Sequence, residues 1–239
     1  TITSGITVTS SAFAVDTADP TVPSTFTSNS TTTASFILAV PITTSTDTNF
    51  SEYKIFYSTS TPVTVSDSSI TSSTNINLGD SNFNSSSTVS ITGLSTNTLY
   101  YVTLFAYDNW GNSTSSASEF FGYTLAASGQ ILSIGTPTTS TLPITIDVNG
   151  NPSSTTFAIY NATDSNYLDS DGAATSTAVY QTTSTWGGSF AATGLSLNTA
   201  YQFQIESRNG DGITSTLGSA SDAVYTLVNI PGSYSGEAE

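Results

Sequence analysis

Hydrophobic and polar residues alternate in short runs along most of this chain. In LYYVTLFAYD, residues 99–108, Tyr100, Val102, Leu104 and Ala106 fall on one face of an extended strand. About a hundred residues later Tyr201, Phe203, Ile205 and Ser207 repeat that face. Four more runs read as strands between turn residues: TASFILAV (33–40), EYKIFYS (52–58), LPITIDV (142–148) and TFAIYNA (156–162). Each half of the chain holds about seven such runs, the strand count of a small β-sandwich.

The two halves are copies. GLSTNTLY (93–100) returns as GLSLNTAY (194–201), so Leu94 and Leu195, like Tyr100 and Tyr201, are 101 residues apart. The endings YTLA (123–126) and YTLV (225–228) match at an offset of 102, and a slip of one residue between loops is what a duplicated module shows. The predicted domains are 18–126 and 127–229, preceded by a strand or linker at 1–17 and followed by a tail at 230–239.

GLSTNTLY and GLSLNTAY resemble the Gly-Leu-x-Pro-x-Thr-x-Tyr signature of fibronectin type III domains. The usual Pro is missing from both, and the Trp that animal examples carry on their second strand is absent. With the YTLA ending, the pattern looks more like repeats of bacterial or archaeal cell-surface proteins. The resemblance implies an all-β fold, two tandem immunoglobulin-like (fibronectin type III) β-sandwiches with an extra N-terminal strand. It also implies a tyrosine corner in each copy: Leu94 and Leu195 plug the cores, and the Tyr100 and Tyr201 hydroxyls bond back to upstream backbone.

Composition sharpens the class and excludes partners. Ser and Thr make up more than a third of the 239 residues, so polar faces carry hydroxyls more than charges. Seventeen acids against two bases give a net charge of −15. That excludes phosphate-neutralising nucleic-acid binding and attraction to anionic membrane surfaces. No apolar run is long enough for membrane insertion as a helix. Cys, His and Met are absent, so packing and sheet hydrogen bonds must supply the stability, and no His-based triad can be assembled. The chain is therefore expected not to be an enzyme.

Candidate sites are few. DSNYLDSDG carries Asp164, Asp169 and Asp171 ahead of Gly172, a fragment of a calcium-loop pattern that reads equally as a solvated turn. Asp16 and Asp19, in the Pro-rich hinge 16–23, form a second candidate for calcium. Sequons place N-glycosylation at Asn29, Asn49, Asn84, Asn112 and Asn161. Lys54, the only lysine, is either an outward strand residue beside Glu52 or a partner in a Lys–Asn isopeptide link. Arg208-Asn209-Gly210-Asp211 sits where the resembling family has its F–G loop, and reads as a Gly-rich turn. Trp110 and Trp186 either stack on sugar rings or brace loops and the interdomain contact. Residues 1–15, with Ile6, Val8, Phe13 and Val15 alternating, are the last strand of a preceding domain, an extra strand on their own sheet, or a strand offered to a neighbour's sheet.

The function this predicts is a non-catalytic extracellular or cell-surface structural protein. It would be a self-assembling block of a surface layer, stalk or filament, its partners being copies of itself or other surface proteins, and glycans. The alternative is an adhesin or a carbohydrate-binding accessory module of a secreted protein.

Overall fold

The computed structural model describes residues 15–39, 46–79, 88–187 and 190–229. Ile6, Val8, Phe13, Asn84 and the tail 230–239 lie outside the described residues. Val15 is exposed.

The first sandwich is built from β1 (Thr27–Thr31), β2 (Ser35–Ala39), β3 (Phe50–Ser58), β4 (Ser68–Ile70), β5 (Thr88–Thr92), β6 (Leu99–Asp108), β7 (Ser113–Ser115) and β8 (Phe120–Tyr123). One sheet has the order β1-β2-β5. The other has the order β4-β3-β6, with β7 and β8 both pairing along the far edge of β6. All pairs are antiparallel, and β3 against β6 is the longest ladder, running from Phe50 opposite Asp108 to Ser58 opposite Tyr101. Thr, Val, Ile and aromatic residues fill these strands because a pleated, half-buried surface packs branched and flat side chains well. Phe36, Leu38 and Ile91 from one sheet meet Tyr53, Ile55, Val102 and Leu104 from the other in a dry core.

The second sandwich repeats the plan with β9 (Gln130–Ile134), β10 (Leu142–Asp147), β11 (Thr156–Asn161), β12 (Asn166–Leu168), β13 (Ala174–Thr175), β14 (Gln181–Thr182), β15 (Ala191–Ala192), β16 (Ala200–Tyr201), β17 (Phe203–Arg208) and β18 (Val224–Tyr225). One sheet is β15-β10-β9. The other is centred on β11, which pairs β17 along one edge and β12 and β14 along the opposite edge. A single helical turn, α1 (Thr183–Trp186), starts at Thr182, whose hydroxyl accepts the Thr185 N–H at 3.3 Å. The turn drops Trp186 into the core, where its indole N–H donates to the Phe157 carbonyl at 2.8 Å. No helix among the described residues is long and apolar enough to cross a membrane.

Both copies of the Leu-to-Tyr segment close the same way. The Leu94 N–H donates to the Ala34 carbonyl and the Leu195 N–H to that of Ser140, each at 3.0 Å, extending the β2–β5 and β10–β15 pairings past the strand ends. The Ser95 N–H donates to the Tyr100 hydroxyl at 3.0 Å, and the Ser196 N–H to the Tyr201 hydroxyl at 2.9 Å. Both leucines are buried, each worth about 2 kcal/mol of apolar transfer.

Candidate functional site

The densest polar cluster between the sandwiches lies at their joint. It forms because two turns of the first sandwich face two loops of the second. Asn97 sits in the turn before β6 with φ 41°, a left-handed conformation that Asn tolerates better than most residues. There its side chain points out of the turn, and its Nδ2 donates to the Thr155 hydroxyl at 2.6 Å. Its Oδ1 accepts the Gly210 N–H at 2.9 Å. Asn209 Nδ2 donates to the Thr124 carbonyl at 3.2 Å, and the Tyr123 N–H donates to Asp211 Oδ2 at 2.9 Å. Asn151 grips the connecting segment from the other side: its Oδ1 accepts the Ala127 N–H at 2.9 Å and its Nδ2 donates to the Ala127 carbonyl at 2.7 Å.

Asn97, Thr124, Asn151, Thr155 and Asn209 are all buried. Buried amides persist only when bonded, because leaving one unpaired costs about 1–3 kcal/mol. The joint is therefore specific in geometry as well as adhesive. Gly210 is part of that fit: a Cβ there would run into the Tyr123 ring. The Arg208–Asp211 segment, which reads as a plain turn in sequence, is thus one of the second sandwich's two contributions to the joint, beside the loop of Asn151 and Thr155.

A second cluster lies at the opposite end of the first sandwich. Asp16, Asp47 and Asp108 bring carboxylate oxygens within 4.8 Å of one another, and this is the only such acidic group of three among the described residues. Asn49 Nδ2 donates to Asp16 Oδ2 at 2.6 Å, and Asn112 Nδ2 to Asp108 Oδ2 at 2.7 Å and to the Asp16 carbonyl at 3.1 Å. Burial pushes the Asp108 carboxyl up, but the Asn112 amide and the N–H groups of Trp110, Asn112 and Gly111 outweigh it and hold the carboxyl below its usual value. Carboxylate oxygens are hard donors of the kind calcium takes.

The sequence-predicted residues are placed as follows. Asp16 joins this cluster and Asp19 does not. Asp169 and Asp164 serve their own turns, Asp169 Oδ1 accepting the Asp171 and Ala173 N–H groups and Asp164 Oδ2 accepting Asn161 Nδ2, and the three do not form an acidic group. Among the described sequons Asn29 is exposed on β1, Asn49 and Asn112 are engaged with Asp16, and Asn161 is buried. Lys54 Nζ lies 3.4 Å from Glu52 Oε1 and 4.1 Å from the centre of the Tyr107 ring. Trp110 is 49% exposed on the loop after β6, whereas Trp186, 6% exposed, belongs to the second core, against Phe190.

Solved structures that match this chain include tandem fibronectin type III segments. A two-domain fibronectin type III segment of chicken tenascin superposes with a TM-score of 0.50 at 15% identity, covering 87% of this chain and 100% of that one. The central fibronectin III array of RIM-binding protein superposes with a TM-score of 0.32 at 12% identity, covering 89% of this chain and 71% of that one. No protein-family model matches the chain, and no curated protein sequence matches it either. The strand order, the paired tyrosine corners and the tenascin likeness together give the fold: two tandem fibronectin type III-like sandwiches.

Proposed function

We propose that this chain is a non-catalytic, extracellular structural module, a stiff two-domain spacer that serves as a building block of a surface layer, stalk or filament. The observation that carries the reading is the joint, where buried Asn side chains of both sandwiches bond to hydroxyl and backbone groups of the other sandwich and to the connecting segment. A flexible pair of binding domains has no use for such a contact, while a spacer transmits orientation through it. Residues 1–15 are assigned to assembly, by adding a strand to a neighbouring copy's sheet.

Light scattering on the full chain and on a chain lacking residues 1–17, each with and without calcium, tests the assembly. Association of the full chain alone supports strand addition. Two monomers leave a spacer without self-assembly. The adhesin or carbohydrate-binding reading retains one favourable observation, the exposed Trp110 ring. Retention on insoluble polysaccharide that is lost in Trp110→Ala would establish it.

A further inference from the structure

The end of the second sandwich remote from the joint repeats the turn geometry of the end of the first sandwich that the joint covers, with Leu197 standing where the Thr96 hydroxyl bonds Leu125 and Asn151. Asn198 matches Asn97, with φ 50° against 41°. Its N–H donates to the Leu227 carbonyl at 3.2 Å, as that of Asn97 donates to Leu125 at 3.1 Å. Thr226 matches Thr124: each hydroxyl donates to the carbonyl of Ser196 or Ser95 at 2.6 Å and accepts the N–H of Thr199 or Thr98 at 3.0 Å. Yet Asn97 is buried by the second sandwich, whereas Asn198 is exposed. Around Asn198, Leu197, Tyr225, Leu227 and Val228 are 50–62% exposed. A turn shaped for docking, with four large apolar side chains turned to solvent beside it, is an interaction surface rather than a finished end.

We infer that this surface is an open half of the same joint, and that its occupant is the leading end of a further sandwich of the second type. The existing joint shows what such an occupant must bring: a Gly beneath the Tyr ring, a side-chain amide for the Thr carbonyl, and a hydroxyl for the turn Asn. A second copy of this chain does not bring them. In its first sandwich Asp108 and Asn109 hold the loop positions of Asn209 and Gly210, because the Asn112 and Ile213 N–H groups close onto the Asp108 and Asn209 side chains alike, each at 2.8 Å. Asp108 as a carboxylate has no N–H for the Thr226 carbonyl. The Asn109 Cβ would strike the Tyr225 ring, as one on Gly210 would strike that of Tyr123. The Asn109 N–H is already given to the Asn49 carbonyl at 2.9 Å. Head-to-tail stacking of this chain is therefore excluded in this register, and a Gly-bearing loop is selected.

The inference deepens the spacer reading and rests on it for the stiffness of the existing joint, so the test measures both joints separately. Residues 1–228 are extended by a second copy of 127–229, so that Val228 precedes the copy as Ala126 precedes Ala127. The chain contains no cysteine, so spin labels go only where cysteines are introduced. Labels at Ser60 and Thr145 report the existing joint. Labels at Thr145 and at the same position of the appended copy report the new one. The expected result is a narrow distance distribution across both, with the narrow component lost at the new joint alone in Asn198→Ala and in a fusion carrying Gly210→Asn in the appended copy. A broad distribution at the new joint beside a narrow one at the old overturns the inference, whether the end stays in solvent or residues 230–239 cover it. A narrow one that survives both substitutions also overturns it. Breadth at both joints instead overturns the spacer reading.

Discussion

Single hydroxyls and carboxylates carry more of this fold than its low charge density suggests. Each corner tyrosine spends its hydroxyl on one backbone N–H, so Tyr100→Phe and Tyr201→Phe each remove one hydrogen bond and leave the ring. The expected cost is about 1 kcal/mol apiece, larger for Tyr201 because its ring is almost wholly buried while that of Tyr100 is partly open. Urea unfolding of each variant against the parent measures it. Glu52 gives a prediction with a sign. Burial pushes its carboxyl up, but the Ser72 hydroxyl and N–H and the Lys54 ammonium pull it below its ordinary 4.5. A carboxylate held low stabilises the fold fully above its unfolded value and loses that contribution as pH falls through the folded one. The stability difference between the parent and Glu52→Gln is thus expected to be greatest near neutral pH, to shrink below pH 4.5, and to vanish in strong acid. Parallel melts across that range check it.

At the scale of elements, the joint depends on a close approach of the Gly210 backbone to the Tyr123 ring. Gly210→Ala puts a methyl into the Tyr123 ring, which must shift from its place over the loop to make room. Overpacking of this kind costs about 1–3 kcal/mol, and here the cost falls on the contact between domains, leaving each core intact. Calorimetry is expected to show the coupling between the two sandwiches weakened, one transition separating into two, with each domain's own transition preserved.

The strands and the paired corners were legible because they are local: alternation needs only a strand's length, and the Leu-to-Tyr step spans six residues. The joint was not. Asn97, Asn151 and Asn209 each look like ordinary turn residues, and their meaning appears only when loops more than fifty residues apart converge. The Asp16–Asp47–Asp108 cluster joins three loops in the same way, so reading acids along the chain picked out Asp16 but paired it with its sequence neighbour Asp19, and favoured the Asp164–Asp171 run. Trp186 misled for another reason. It stands in a Ser, Thr and Gly-rich stretch that reads as surface loop, and only the turn at Thr183–Trp186 carries it inward.

For the whole molecule, the question is whether its shape answers to charge or to the joint. A net charge of −15 repels itself, so two loosely tethered sandwiches would spread at low ionic strength and fold towards each other as salt screens them. Among the hydrogen bonds described at the joint, all but that of the Asp211 carboxylate join neutral amides, hydroxyls and backbone groups, and such bonds respond weakly to screening over a Debye length of about 10 Å at 0.1 M salt. Stability and shape should therefore part company. Added sodium chloride is expected to raise the melting temperature by relieving repulsion within each acidic sandwich, while the small-angle scattering curve and its maximum dimension stay unchanged. In Asn97→Ala, which gives up both the Thr155 and the Gly210 bonds, the curve should become salt-dependent and the molecule should shorten as salt is added. A parent curve that shortens with salt would mean that repulsion, not the amide joint, holds the two sandwiches apart.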